Sequence, residues 1–353
     1  MNLDFFKLGM PWKTQDPFLF CVYHLDTYPI ANNEFGPLES LAGRNLGNDF
    51  VTKNGYRMYH GEAVPGFPAH PHRGFETFTV VRQGMVDHSD SLGGFGRYGD
   101  GDAQWMTAGR GVQHAEMFPL LNQQSVNIQE IFQIWVNLPS KNKMCEPAYK
   151  MIWNEDLKII ENEGVKITYY MGDPQKELNQ DIPQSSWAAQ GDNCLSVQLI
   201  ELDSLSTIEL PAVTNGVNRS LYFYESHSDL EENNVGKNEN NETNKTHNLE
   251  INEVNFPLNY GIEINFSKSF KLSTQGHSAK VLLLQSRPIE ESVVQYGPFV
   301  MNTSEQIQEA FEDFEKTQFG GWPWNSPDPV HKDRKRFAQY IDGSLDQPIK
   351  IKD

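Results

Sequence analysis

The sequence contains few cysteines, and this scarcity limits the classes of fold and site that it can form. Its three cysteines, Cys21, Cys145 and Cys194, are widely spaced in a chain of 353 residues. An odd number of distant cysteines makes neither a disulfide framework nor a paired-cysteine metal site. We therefore expect free thiols in a reducing compartment.

Long apolar runs are missing as well. No stretch of the sequence approaches the roughly 18 consecutive apolar residues that a membrane helix needs. The first residues also lack the basic region and apolar run of a secretion signal. We expect a soluble, cytoplasmic protein that makes no contact with membranes.

Positive charge is scarce relative to negative charge. The chain carries 29 Lys and Arg against 47 Asp and Glu, a net charge of −18. Such a surface repels phosphate backbones, which argues against direct nucleic-acid binding. One basic run near the end, from Lys332 to Arg336, is interpreted as part of a solvated tail.

Short segments with period-two alternation of apolar residues indicate β-strands. Residues 132–136 and 195–199 show this pattern, and the segment from Ala279 to Leu284 is predicted as a buried strand. The 27 glycines and 20 prolines supply many turns between such segments. The pattern predicts an all-β fold of sandwich or barrel type.

One helix is predicted near the C-terminus. Thr303 is a candidate N-cap and Gln306 stands at the reciprocal capping-box position. Ile307, Ala310 and Phe314 then recur at helical spacing, so this helix is expected to pack through one apolar face.

The composition changes between about residues 225 and 255. The segment from Glu231 to Thr246 consists almost entirely of Asn, Glu, Lys and Thr. Such a segment cannot bury enough apolar surface to offset its ordering entropy. We interpret it as a low-complexity loop inserted in the second half, with His227 and His247 as solvent-exposed histidines.

The chemistry is concentrated in the first half, where two strand-like segments carry histidines and carboxylates at alternate positions. His70 and His72 are two residues apart, and so are His114 and Glu116. On a strand, such pairs project from one face, so both pairs can meet one ion. Glu76 shares the parity of His70 and His72, provided that no bulge intervenes. The pattern predicts a site of three histidines and one carboxylate.

Two further histidines lie close to this region in the sequence. His60 precedes the first pair by ten residues, and His88 follows Asp87 in a predicted turn. For both, we expect a structural role or a supporting role around the site in preference to metal ligation.

Longer motifs resemble the pirin family of the cupin superfamily. They are HPHRGFETFTVV at residues 70–81, GDAQWMTAGRGVQHAEM at 101–117 and GPFVMNT at 297–303. The resemblance implies two tandem cupin barrels of jelly-roll type with a short C-terminal helix. We expect a metal-binding cupin domain over residues 1–140, a metal-free cupin domain over 141–320 and a tail over 321–353.

The resemblance also implies a metal and a reaction. It places one iron(II) ion on His70, His72, His114 and Glu116, while Glu76 becomes a candidate group that orients a ligand or a bound water. It further implies quercetin 2,3-dioxygenase activity on a flavonol, with Glu116 or Glu76 accepting the flavonol proton. The alternative is a non-enzymatic, iron-dependent regulator that binds transcription factors or metabolic enzymes.

Overall fold

The computed structural model describes residues 4–172, 182–227, 248–264 and 267–348, which are mostly strands. In chain order, the first strands are β1 (Phe5–Lys7), β2 (Phe18–Tyr28), β3 (Gly66–His72), β4 (Phe75–Gln83), β5 (Met85–Asp90), β6 (Phe95–Gly99), β7 (Ala103–Thr107), β8 (Val112–Met117), β9 (Asn127–Asn137), β10 (Ala148–Ile152), β11 (Lys158–Asn162) and β12 (Val165–Met171). The later elements are β13 (Ser196–Leu202), β14 (Thr207–Leu210), β15 (Asn218–Glu225), β16 (Asn248–Ile251), β17 (Val254–Pro257), β18 (Tyr260–Ile264), β19 (Phe270–Thr274), β20 (Ala279–Ser286), β21 (Val294–Tyr296), β22 (Phe299–Met301), α1 (Ser304–Thr317), β23 (Phe337–Gln339) and β24 (Leu345–Asp346).

The chain divides into two compact units that are discontinuous in sequence. The histidine unit comprises Cys21–Asp156, Asp181–Ser186 and Glu290–Asp353. The second unit comprises Met1–Phe20, Leu157–Gln180 and Trp187–Ile289. The contiguous boundaries expected at residues 140 and 320 remain predictions about the two cupin domains.

The histidine unit is built from two main sheets. One sheet has the strand order β10-β7-β4-β9-β2, and the other has the order β24-β23-β6-β5-β8-β3. Apolar side chains of both sheets, including Val81, Val86, Met106 and Ile131, form a buried core. The aliphatic and aromatic residues at alternate strand positions supply this core, as the period-two pattern requires.

The second unit contains a seven-stranded sheet and a four-stranded sheet. Their orders are β1-β18-β15-β20-β13-β12-β11 and β14-β19-β16-β17. Strand β20 runs between β13 and β15 and contributes Val281 and Leu283 to the buried core. The buried strand predicted from Ala279 onward is therefore confirmed.

Helix α1 begins as the sequence predicts. The Thr303 side chain accepts a hydrogen bond from the Gln306 backbone, and the Gln306 side chain completes the capping box. Ile307 and Ala310 are buried and pack with Phe299 of β22 within the histidine unit. None of the helices in the described ranges is long and apolar enough to cross a membrane.

Two expectations about irregular segments have different outcomes. The insert from Glu231 to Thr246 lies outside the described residues, although residues 248–251 and 254–255 of the predicted loop belong to β16 and β17. The prediction of a solvated tail was wrong for residues 337–339. Phe337–Gln339 pairs with β6, and Ala338 is fully buried, because the two apolar residues after the basic run extend the sheet.

Candidate metal centre

Strands β3 and β8 bring three histidines together inside the histidine unit. They pair in antiparallel register, with His70 opposite His114. His72, two residues further along β3, projects from the same face. The ligand atoms of His70, His72 and His114 all lie within 4.8 Å of one another. The predicted convergence of these three side chains is therefore present.

Backbone carbonyls orient two of the three imidazoles. His70 Nδ1 lies 2.9 Å from the carbonyl oxygen of Pro68, and His72 Nδ1 lies 3.4 Å from that of Pro298. A carbonyl only accepts, so Nδ1 carries the proton in each ring. The lone pair of Nε2 is then available to an ion. In protein metal sites, the other ring nitrogen of a histidine ligand is held by a hydrogen bond in the same way.

His114 is buried and has no hydrogen-bond partner on either ring nitrogen among the described residues. Burial lowers the pKa of His114 and of His72 well below the ordinary value, and it lowers the pKa of His70 to about 4. All three rings are therefore neutral at pH 7. A buried imidazole with unpartnered nitrogens beside two other neutral imidazoles suits a divalent transition ion.

Glu116 lies beside this cluster on β8. Its Oε2 is 3.7 Å from His114 Nε2, and its oxygens accept hydrogen bonds from Thr79 (3.2 Å) and Gln133 (3.3 Å). Burial raises the pKa of Glu116 to about 7. The carboxylate is close enough to approach an ion on the histidines, and its role as the fourth ligand remains a prediction.

The structure places Glu76 away from the cluster, so the expected shared face with His70 and His72 was wrong. Its oxygens accept hydrogen bonds from Trp105 Nε1 (2.9 Å), Thr107 Oγ1 (2.6 Å) and Ser186 Oγ (2.7 Å).

The shared parity ends at a turn between the two strands. Gly74, with a φ of +85°, separates β3 from β4, which belongs to the other sheet. Thr79 points towards Glu116, and Glu76, three residues earlier on β4, points to the opposite face.

His88 and His60, the two further histidines of this region, do not belong to the group of converging side chains. His88 is buried opposite Glu116 on β5, with its ring centroid 5.7 Å from that of His114 and its Nε2 3.1 Å from Asp90. His60 is exposed, and its Nδ1 lies 2.7 Å from the carbonyl oxygen of Gly47.

Sequence reasoning missed three side chains next to the site. Thr79 and Gln133 hold Glu116, and the Trp135 ring centroid lies 5.2 Å from that of His72. Gln133 and Trp135 stand two residues apart on β9. This spacing was the one signal in the sequence that both side chains project from the same face. The ring centroid of Phe75 lies 5.0 Å from that of His72.

Comparison with known proteins supports the motif resemblance. The family model of pirin matches residues 38–136, and that of the pirin C-terminal cupin domain matches residues 199–320. A pirin-like protein from Solanum lycopersicum is 33% identical over 250 residues, which cover 71% of this chain and 75% of that protein. The chain belongs to the pirin family.

Other relatives of this pirin carry enzyme names. A Pseudomonas aeruginosa protein, provisionally named quercetin 2,3-dioxygenase, is 33% identical over 259 residues, covering 71% of this chain and 79% of that protein. The crystal structure of quercetin 2,3-dioxygenase from Acinetobacter baumannii aligns with a TM-score of 0.63 and 25% identity, covering 91% and 96% of the two chains. With the sheets described above, these matches confirm the all-β class with two cupin domains and a short C-terminal helix.

Proposed function

We propose that this pirin is an iron-dependent dioxygenase that opens the heterocyclic ring of a flavonol such as quercetin. The observation that carries the proposal is the convergence of His70, His72 and His114 within 4.8 Å, with the nitrogens of His114 buried and unpartnered. The enzyme names of similar proteins supply the reaction class. Cytoplasmic residence, expected from the sequence, is part of the same proposal.

The three histidines fit an iron(II) ion, with Glu116 as the proposed fourth ligand. Neutral imidazoles and a carboxylate suit iron(II), although other divalent ions accept the same donors. Bound iron would hold the adjacent oxygens of the flavonol and allow its reaction with dioxygen. The carbonyls of Pro68 and Pro298 keep two imidazoles in the tautomer that the ion requires.

Glu116 is the group that we propose as the proton acceptor. Burial raises its pKa to about 7 in the metal-free protein, and an ion on the histidines would keep the carboxylate ionised and able to accept a proton. Thr79 and Gln133 hold its two oxygens, so the carboxylate stays beside His114 as the flavonol hydroxyl loses its proton. The expected role of Glu76 in this transfer is not retained, because its side chain lies on the other face of β4.

Two aromatic rings lie next to the histidines. Phe75 and Trp135 stack with ring centroids 4.0 Å apart, and each has its centroid about 5 Å from that of His72. These apolar rings exclude water from the site, and Trp135, which is partly exposed while Phe75 is fully buried, offers a flat surface to an aromatic substrate. This arrangement favours a flavonol over a small polar acid as substrate.

The test is oxygen uptake by the iron-loaded protein with a flavonol under air. Wild type is expected to consume oxygen with loss of flavonol absorbance, and His114→Ala is expected to lose both. His227→Ala is the matched control, because His227 is exposed in the second unit. Iron-loaded protein that leaves flavonols intact would refute the enzymatic proposal.

That negative result would favour the alternative proposal, a regulator that binds a transcription factor or a metabolic enzyme in an iron-dependent manner. The charge of −18 favours a protein partner over nucleic acid in that case.

A further inference from the structure

The strand that carries His70 and His72 lies at the edge of its sheet and contains an irregularity. Strand β3 is the last strand in the order β24-β23-β6-β5-β8-β3. Its register against β8 shifts between Phe67 and His70. Such a bulge re-aims the side chains next to it, and at a sheet edge it leaves backbone groups without a strand partner.

A C-terminal segment supplies the missing partner. The Ala69 N–H, inside the bulge, donates to the carbonyl oxygen of Pro327 over 2.7 Å. Pro68, the preceding residue, is the one whose carbonyl fixes the ring of His70. The Pro327 carbonyl therefore holds the bulge that orients a metal-binding imidazole.

The same segment contacts the neighbour of a second histidine of the cluster. Gln113 precedes His114 on β8, and its Nε2 donates to the carbonyl oxygen of Gln318 over 2.6 Å and to that of Gly321 over 3.3 Å. Gln113 is buried, so these bonds are shielded from competing water.

A third set of contacts reaches β5. His331 Nε2 donates to the carbonyl oxygen of His88 over 3.0 Å, and the His331 backbone N–H donates to Asp87 over 2.8 Å. Trp324 Nε1 donates to the carbonyl oxygen of Asp90 over 2.9 Å.

A buried ion pair anchors this end of the segment. Arg97 binds Asp87 at 2.6 Å, both side chains are fully buried, and the guanidinium also donates to the carbonyls of His331 and Asp333. The ring centroid of Phe95 lies 5.4 Å from that of Trp324 and 5.2 Å from that of His331.

We propose that residues 318–333, the C-terminal strap, position the metal-ligating histidines by hydrogen bonding to the backbones of β3 and β5 and to the Gln113 side chain of β8. The strap extends past residue 320, where the match to the pirin C-terminal model ends. The inference rests on the proposed metal centre and adds to it a supporting element of this chain. Loss of the outer groups that orient metal ligands costs about 10- to 100-fold in metal affinity.

The experiment compares full-length variants by titration with cobalt(II), whose visible absorption reports ligand geometry. Trp324→Ala/His331→Ala removes two side-chain anchors of the strap. We expect cobalt(II) affinity to fall about 10-fold or more, with an altered spectrum. We also expect faster hydrogen exchange in the peptide that contains Ala69. Lys332→Ala/Lys335→Ala is the matched control, because these side chains are exposed in the same region.

A second pair of variants keeps the test valid if the double variant fails to fold. His331→Gln retains an N–H donor for the His88 carbonyl, and His331→Ala does not. The glutamine variant should keep wild-type affinity, spectrum and exchange, while the alanine variant should not.

The strap proposal is overturned if all strap variants bind cobalt(II) with wild-type affinity and spectrum. Failure of the wild type itself to bind cobalt(II) would instead overturn the metal centre, so the two failures are distinguishable.

Discussion

Replacing the two carboxylates, Glu76 and Glu116, should separate structural support from metal binding. Glu76→Ala leaves three buried donors, on Trp105, Thr107 and Ser186, without their acceptor. Each unsatisfied buried donor costs about 1–3 kcal/mol, so the loss is on the order of 4 kcal/mol. In a unit of this size, that corresponds to a decrease in Tm of about 10 °C.

The opposite result is expected for Glu116→Gln. Burial raises the pKa of Glu116 to about 7, so a neutral amide of the same shape should leave the stability of the metal-free protein nearly unchanged. Removal of the anion beside His114 should weaken iron(II) binding at least about 10-fold.

The assay combines thermal melting of metal-free protein with anaerobic iron(II) titration of both variants. The reasoning is refuted if Glu76→Ala loses iron at an unchanged Tm while Glu116→Gln retains it. That outcome would place Glu76, and not Glu116, at the metal.

Two further predictions concern the histidine unit. Burial raises the pKa of Asp102 from 3.8 to about 6, so its protonated form favours folding, and that contribution is lost as the pH rises from 4 to 6. Wild type should therefore lose roughly 2 kcal/mol relative to Asp102→Asn across that window, measured by urea unfolding, and parallel pH profiles would contradict this. Gly74→Ala should destabilise strongly in thermal melts, because its Cβ would lie 2.0 Å from the carbonyl oxygen of Val300, whereas Gly93→Ala also has positive φ but meets nothing within 4 Å. Equal melting temperatures of these two variants would show that the close approach at Gly74 relaxes at no cost.

The histidine pairs could be predicted from the sequence because each lies within a single strand. His70 and His72 keep their parity along β3, and His114 and Glu116 keep theirs along β8. Strand alternation is a local property, so spacing alone carries the information. The fold class was predictable for the same reason, since the alternating segments became strands.

The errors arose where the chain leaves one sheet for another. Parity cannot be counted across Gly74, whose left-handed conformation turns the chain between β3 and β4. The position of Glu76 therefore depends on non-local pairing. The strap was missed for a related reason, because its bonds join positions more than 200 residues apart, such as His88 and His331. Sequence spacing carries no signal of such contacts.

The most direct test of the metal centre is elemental analysis of purified wild type, His114→Ala and the His227→Ala control after iron(II) loading. Three converging neutral imidazoles should retain about one iron per chain in wild type and control. His114→Ala, which removes one of the two buried members of the cluster, should retain far less. Wild type without iron after loading, or His114→Ala with a full equivalent, would contradict the assignment of His70, His72 and His114 as metal ligands.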